Sequence, residues 1–181
     1  MDGTSDITEN ELIQRCLDHN LKYQEILYRR FADEMFGICC NYMKDEDEAA
    51  DVLQDGFIKV FRNLHTFDQS RRLAPWIARI IVNTALEHIR KNKRANEIIE
   101  DYTNTVETSV DNIIEQLSAK EIIKSVEELP SKAALILKLY CIEGYSHKEI
   151  AENLHISIGT SKSQLNRARN LLKQSINKLH G

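Results

Sequence analysis

An all-α fold arranged as two small domains is predicted by three features of this sequence. Turn-forming residues are scarce, apolar residues recur at three- and four-residue steps over most of the chain, and that periodicity fades near the middle. Two prolines and six glycines in 181 residues are too few for the many tight turns of an all-β chain. At 42% hydrophobic residues the chain can fill one ordinary core or two modest ones. No apolar run approaches the roughly 20 residues of a spanning helix, so membrane insertion is not expected. The opening Met1-Asp2-Gly3-Thr4-Ser5-Asp6 has no basic stretch followed by an apolar one, which predicts no secretory signal and a cytoplasmic location. Cys16, Cys39, Cys40 and Cys141 form no C-x-x-C pair and no metal spacing with a histidine, and read as reduced packing residues.

The first helix, about 8–19, opens on Thr8 and Glu11 in a capping arrangement and stripes Leu12, Ile13, Cys16 and Leu17 along one face. The second, about 22–42, carries Tyr23, Ile26, Leu27, Phe31, Met35, Ile38 and Tyr42 at helical steps and reads as a core helix. The third, about 46–64, is two-sided: Ala49, Ala50, Val52, Leu53, Phe57, Val60, Phe61 and Leu64 form an apolar stripe, while Asp47, Asp51, Gln54 and Asp55 lie elsewhere on its surface. Its early acids suit the partial positive charge of a helix N-terminus. The four-residue spacing of Asp47, Asp51 and Asp55 also admits a metal or acid-base cluster. A solvated row, or a docking surface for a basic partner, fits better, because no histidine or further ligand accompanies it.

A polar connection over residues 65–72 leads into a fourth helix, about 73–92, with Pro75 in the first turn, where a missing N–H is harmless. Leu73, Trp76, Ile77, Ile80, Ile81, Thr84 and Ile89 are available to the core, and Arg79, Asn83 and Glu87 form an i, i+4 line suited to touching DNA. Trp76 on an apolar stripe reads as a core residue rather than a base-stacking platform, which leaves Phe67, on the loop beside basic residues, as the freer aromatic. Residues 96–112 carry acids and no base and read as a flexible linker between domains at 1–95 and 113–181. A further helix is expected from Asp111 to about Glu128, ended by Leu129-Pro130.

Charge is blocked along the chain, and the blocks alternate in sign. Residues 1–70 carry −8, 71–94 carry +6, 95–152 carry −7 and 153–181 carry +5, for a net −4. Two basic segments in an acidic protein suggest two local contacts with a polyanion, while the acidic remainder suppresses indiscriminate binding. Two solvated helix faces would produce the same blocks, so the motifs decide.

The C-terminal block has the grammar of a helix–turn–helix. Ser131 starts a helix running to Glu143, with Gly144 placed as a left-handed stop. Ser146-His147-Lys148-Glu149 is a capping box opening a short helix through Ile150, Ala151 and Leu154. His155-Ile156-Ser157 makes a tight turn, and Ser157 caps a last helix through Leu165, Ala168 and Leu172. Small Ala151 permits close approach, and Ile150, Leu154, Ile156 and Leu165 build the wedge. Lys162, Ser163, Asn166, Arg167 and Arg169 face outward with no carboxylate among them, and Ser157 and Thr160 flank the helix N-terminus, whose N–H groups favour phosphate.

Leu129-Pro130, the Glu143–Ala151 stretch and the Ile156–Arg169 stretch together resemble region 4 of extracytoplasmic-function sigma factors, members of the sigma-70 family of bacterial RNA polymerase. Independently, Asp45–Phe57 resembles that family's core-polymerase-binding motif, and Trp76-Ile77-x-Arg79-Ile80-x-x-Asn83 its promoter-melting segment. The resemblance covers about residues 20–95 and 115–178, with the three motifs in the family's order. It implies a dissociable initiation subunit, with no catalysis and no cofactor, whose partners are the polymerase core, promoter DNA and an anti-sigma factor.

By that resemblance, Asp47, Asp51, Gln54 and Asp55 meet the polymerase. Phe67, Arg71, Arg72, Arg79, Asn83, Glu87, His88, Arg90, Lys91 and Arg94 read and hold the unpaired minus-ten strand. Ser157, Thr160, Lys162, Ser163, Asn166, Arg167 and Arg169 read the minus-thirty-five duplex. The acidic linker would either occupy a basic polymerase channel as a polyanion mimic or serve as a solvated tether. The sequence departs from the family's pattern at His155, where glycine is common in the turn, and at Leu73, Glu87 and Ser161, where an aromatic, an aspartate and an apolar residue are usual. A stand-alone regulator would need only the C-terminal module. An enzyme would need a phosphate loop, an H-E-x-x-H, a nucleophile elbow or a zinc-ligand set, none of which the sequence contains.

Overall fold

The computed structural model describes residues 7–95 and 128–180, with side chains placed through 92 in the first stretch and 175 in the second. The chain divides into two compact units, Met1–Glu97 and Ile98–Gly181. The linker at 96–112, the expected helix from Asp111 and the Arg94 side chain lie outside the described residues. No strand occurs among those that are described.

Unit 1 is built from α1 (Glu9–Leu17), α2 (Leu21–Cys40), α3 (Glu46–Asn63), a 3₁₀ turn (Leu64–Thr66) and α4 (Leu73–Ala95). Side chains set the starts: Thr8, Asn20 and Asp45 accept from the backbone N–H groups of Glu11, Lys22 and Glu48. Helix α4 is capped from a distance, because the Leu73 N–H donates to Glu9 Oε1 at 3.2 Å, tying the first helix to the start of the fourth. The predicted stripes converge on one core, in which Leu12, Leu27, Met35, Val60, Ile77 and Ile81 are closed to solvent. Ala85 also joins that core, a position the helical stripe did not single out. Gly56 lies where α3 meets α4, and a Cβ there would strike Ile81 Cδ1, so its missing side chain leaves room for the buried Ile81 side chain between the two helices.

The cysteines divide. Cys16 and Cys39 are buried, and desolvation pushes their thiols up to about 11 and about 12. Cys40 and Cys141 are exposed, so the packing role holds for only two of the four. For Cys40 the reason is its position one residue beyond Cys39, on a different side of α2.

Unit 2 contains α5 (Ser131–Leu137), a π turn (Lys138–Ile142), α6 (His147–Leu154) and α7 (Ile158–His180). The expected single helix from Ser131 to Glu143 is continuous in the chain but widens in its second half. Such a turn takes in an extra residue and rotates the side chains beyond it. Leu139 therefore stays buried while Tyr140, Cys141 and Ile142 are brought to the surface. Gly144, at φ 70°, ends the element, and the Tyr145 N–H returns to Leu139 O at 2.9 Å in a widened left-handed stop.

The Ser146–Glu149 capping box forms in full at the start of α6. His155, at φ 53° and ψ 45°, occupies the left-handed turn that the sequence pointed to. A β-carbon disfavours that conformation. His155→Gly is therefore expected to stabilise unit 2 by about 0.5–1 kcal/mol, the relief of strain being partly offset by the greater freedom of glycine in the unfolded chain. Urea denaturation read by hydrogen exchange in α6 and α7 checks this; a loss of stability would show that the histidine side chain, not the backbone, governs the turn.

Candidate nucleic-acid interface

Helix α7 has two opposed faces. Ser161, Leu165 and Ala168, at helical spacing, are buried. On the other side Lys162 and Arg167 are exposed, and Ser163, Asn166 and Arg169 are half-buried beside them. The hydroxyls predicted for this surface are used by the helix itself. Ser157 Oγ accepts from the Thr160 N–H at 2.9 Å and lies 2.9 Å from Thr160 Oγ1, while Ser163 Oγ donates to Thr160 O at 3.0 Å. Ser157 and Thr160 thus build the N-terminus of the helix, and the long side chains of Lys162, Asn166, Arg167 and Arg169 form its reach. A helix with such a face fits a major groove, its cations paired with phosphate or with guanine edges.

Unit 1 presents a second charged surface. Asp47, Asp51, Gln54 and Asp55 are all exposed along α3, as the helical spacing requires. Arg71, Arg72, Arg79 and Lys91 are exposed, with Asn83, Glu87, His88 and Arg90 half-buried on α4. Two sequence-predicted sets meet in a cleft of about 140 Å3 between α3 and α4, lined by Asp55, Lys59, Arg62, Glu87, His88 and Lys91. Glu87 is bound within it, because Lys59 Nζ donates to Glu87 Oε2 at 2.8 Å. The carboxylate cross-links α3 to α4 before any ligand arrives.

The loop before α4 is ordered by Asp68, which accepts from the Ser70 hydroxyl at 2.7 Å and the Ser70 N–H at 3.0 Å and faces Arg71 Nε at 3.4 Å. The Ser70 hydrogen bonds, then the Arg71 charge, hold its carboxyl below the ordinary carboxylate range.

Phe67 does not have the predicted freedom. It is 8% exposed and packs in the core of unit 1, its ring 5.2 Å from that of Trp76. In a 3₁₀ turn, residues three apart eclipse, so the turn at Leu64–Thr66 carries Leu64 and Phe67 to the same inner side. The reading of Phe67 as a free loop aromatic is thus corrected: it is a buried residue of unit 1. The Leu-x-x-Phe spacing was the signal for this in the sequence. Trp76 is partly buried against the same core, in keeping with its core reading.

These two surfaces belong to two recognisable regions. Residues 27–95 match Sigma-70 region 2, and residues 119–172 match Sigma-70 region 4, together more than half of the chain. The chain belongs to the sigma-70 family, in its extracytoplasmic-function group.

The ECF RNA polymerase sigma factor SigM of Bacillus subtilis is 27% identical over 154 residues, covering 84% of this chain and 94% of SigM. The ECF RNA polymerase sigma-E factor of Haemophilus influenzae is 25% identical over 185 residues, covering 96% of this chain and 97% of that protein. Among solved structures, CnrH in complex with the cytosolic domain of CnrY is 20% identical with a TM-score of 0.48, covering 92% of this chain and 96% of that one. As a sigma factor, the protein is a promoter-specific initiation factor of RNA polymerase, not an enzyme and not a stand-alone regulator. No helix among the described residues is long and apolar enough to cross a membrane.

One polar pair of this sigma factor escaped the sequence reading. Ser161 is fully buried, and its Oγ lies 2.9 Å from His147 Nδ1, while the His147 ring stacks on Tyr140 with centroids 4.6 Å apart. A serine at a core position of α7 was the available signal. Burial, then Lys162, then Arg169, lower the His147 pKa from its ordinary 6.5. The folded unit therefore resists a proton that the unfolded chain accepts, and this histidine's contribution to stability is lost as pH falls below about 6.5.

Proposed function

We propose that region 4 of this sigma factor grips the minus-thirty-five duplex through α7, with Lys162, Asn166, Arg167 and Arg169 supplying base and phosphate contacts around an N-terminus shaped by Ser157, Thr160 and Ser163. Region 2 docks on the polymerase core through the exposed row Asp47, Asp51, Gln54 and Asp55. It holds the unpaired minus-ten strand with Arg71, Arg72, Arg79, Asn83, His88, Arg90, Lys91 and Arg94. Glu87 belongs to the same strand-contacting set, and its pairing with Lys59 Nζ also supports the shape of the α3–α4 cleft. The working units are 1–95 and 113–181, joined by 96–112, and the protein acts in the cytoplasm under an anti-sigma factor.

The single observation that carries this reading is the division of α7 into a buried face and an opposed cationic face lacking any carboxylate. Around it, the physical demands of the two elements differ: a duplex is read by a helix in a groove, whereas a separated strand needs a cationic surface along which to run. Reconstitution with core polymerase on genomic DNA, together with mapping of transcript starts, tests the whole. The expected result is a restricted set of starts sharing two spaced elements. A holoenzyme whose starts match those of core polymerase alone would overturn the reading.

A further inference from the structure

The core of unit 2 contains a polar contact that packing alone does not require. Ser161 shares its register with Leu165 and Ala168 and has 0% exposure, yet it meets an imidazole and not a methyl group. A neutral imidazole has one donor and one acceptor nitrogen. With the Ser161 hydroxyl donating to Nδ1, the ring proton resides on Nε2. Stacking on Tyr140, at an interplanar angle of 25°, fixes the ring plane. Among the described residues no buried side-chain nitrogen or oxygen lacks a partner, and Nε2 meets no acceptor there, so this donor is open to solvent.

Its placement is informative. His147 opens α6, the first helix of the helix–turn–helix, which in this motif crosses the phosphate backbone while the second helix enters the groove. Lys162 and Arg169 of α7 are near enough to act on the ring electrostatically, so it shares their cationic surroundings. We infer that His147 is a further DNA-contacting residue of this sigma factor, donating from Nε2 to a backbone phosphate of the duplex, with Ser161 as the positioning residue that sets its tautomer. This rests on the reading of α7 as the duplex-binding helix.

The contact makes binding sensitive to pH. The groups facing the ring are Lys162 and Arg169 from α7 and the Tyr140 phenol from the π turn; on its own helix Glu149 is engaged by Ser146. The cations and burial keep the free ring neutral, and a phosphate beside it reverses the balance by favouring the charged form. DNA binding then takes up a proton. Protonation keeps the contact with Ser161, because Nδ1–H becomes the donor and Oγ the acceptor.

The test uses the full chain assembled with core polymerase and a promoter identified by start-site mapping. Competition binding is measured between about pH 6 and pH 8, a range spanning the ordinary histidine pKa. Wild-type affinity is expected to rise as pH falls, approaching at most about tenfold per pH unit, the limit for one proton taken up. His147→Phe keeps a ring for Tyr140 but no nitrogen; it should bind about tenfold more weakly at the acidic end, as for one lost hydrogen bond to a charged group, and show no such slope. His147→Gln retains a donor that does not titrate and should keep most of the affinity at the alkaline end while losing the slope. Lys162→Ala should weaken binding at every pH and still show a slope, displaced to higher pH because the ring loses one of the cations that keep it neutral.

A nitrogen-15 titration of the wild-type ring, with and without the minus-thirty-five duplex, reads the same linkage without any substitution: the pKa should rise on binding. An unchanged ring pKa, or a wild-type slope in His147→Phe alongside weakened Lys162→Ala, overturns the histidine contact and leaves the α7 reading standing. Full affinity in Lys162→Ala overturns the α7 reading and this inference with it.

Discussion

Replacing Lys162 and Arg167 together by alanine is expected to lower promoter-specific initiation by at least about 30-fold, because each groove contact is worth about 1–3 kcal/mol. Both side chains are exposed on the outer face of α7, so their removal leaves no cavity, and the fold should survive. Two lost phosphate-pairing charges would also reduce the magnitude of the salt slope of binding by about 2, which distinguishes a weakened interface from an unfolded domain. The measurement is competition between promoter and promoter-free duplex for the reconstituted holoenzyme across a salt series. Equal discrimination by the wild type and the double variant would remove α7 from the minus-thirty-five contact.

The second large effect is expected in unit 1. Phe57 is 3% exposed, with the Tyr28 ring 4.7 Å away edge-on and the Phe61 ring at 6.2 Å. Phe57→Ala removes the ring from the interior of α3 and should cost about 3–5 kcal/mol, from lost burial and from a cavity that fixed helices cannot close. The chain's single tryptophan, Trp76, lies in this same unit, so its fluorescence reports the loss selectively. Binding to core polymerase should fall with it, because the carboxylates of α3 lose their rigid support. Asp51→Asn with Asp55→Asn should reduce binding while leaving the Trp76 transition in place. An unchanged denaturation midpoint for Phe57→Ala would mean that the core of unit 1 closes over the gap.

Much of this was legible from residue order. The α3 stripe, the capping box at Ser146 and the left-handed turn at His155 are local. Each depends on side-chain period, a three-residue reach or a backbone angle, all of which neighbouring residues specify. The outward placement of Lys162 and Arg167 arises from the same period. Phe67 was misplaced because charged neighbours suggested exposure, whereas the 3₁₀ turn preceding it decided its direction. Cys141 was misplaced because one extra residue in the π turn rotates the side chains beyond it, and periodicity counted at 3.6 residues per turn cannot register the change.

The order of helices, the local caps at Thr8, Ser146 and Ser157, the two-faced character of α3 and α7 and the family likeness were determined by the sequence alone, since they arise from interactions between residues a few positions apart. Tertiary structure alone decided that Glu87 is held by Lys59, that Glu9 caps α4 and that Ser161 meets His147. Those partners are 28, 64 and 14 residues apart. At such separations a hydrogen bond exists only after packing has brought the helices together, and no local preference encodes which donor will meet which acceptor.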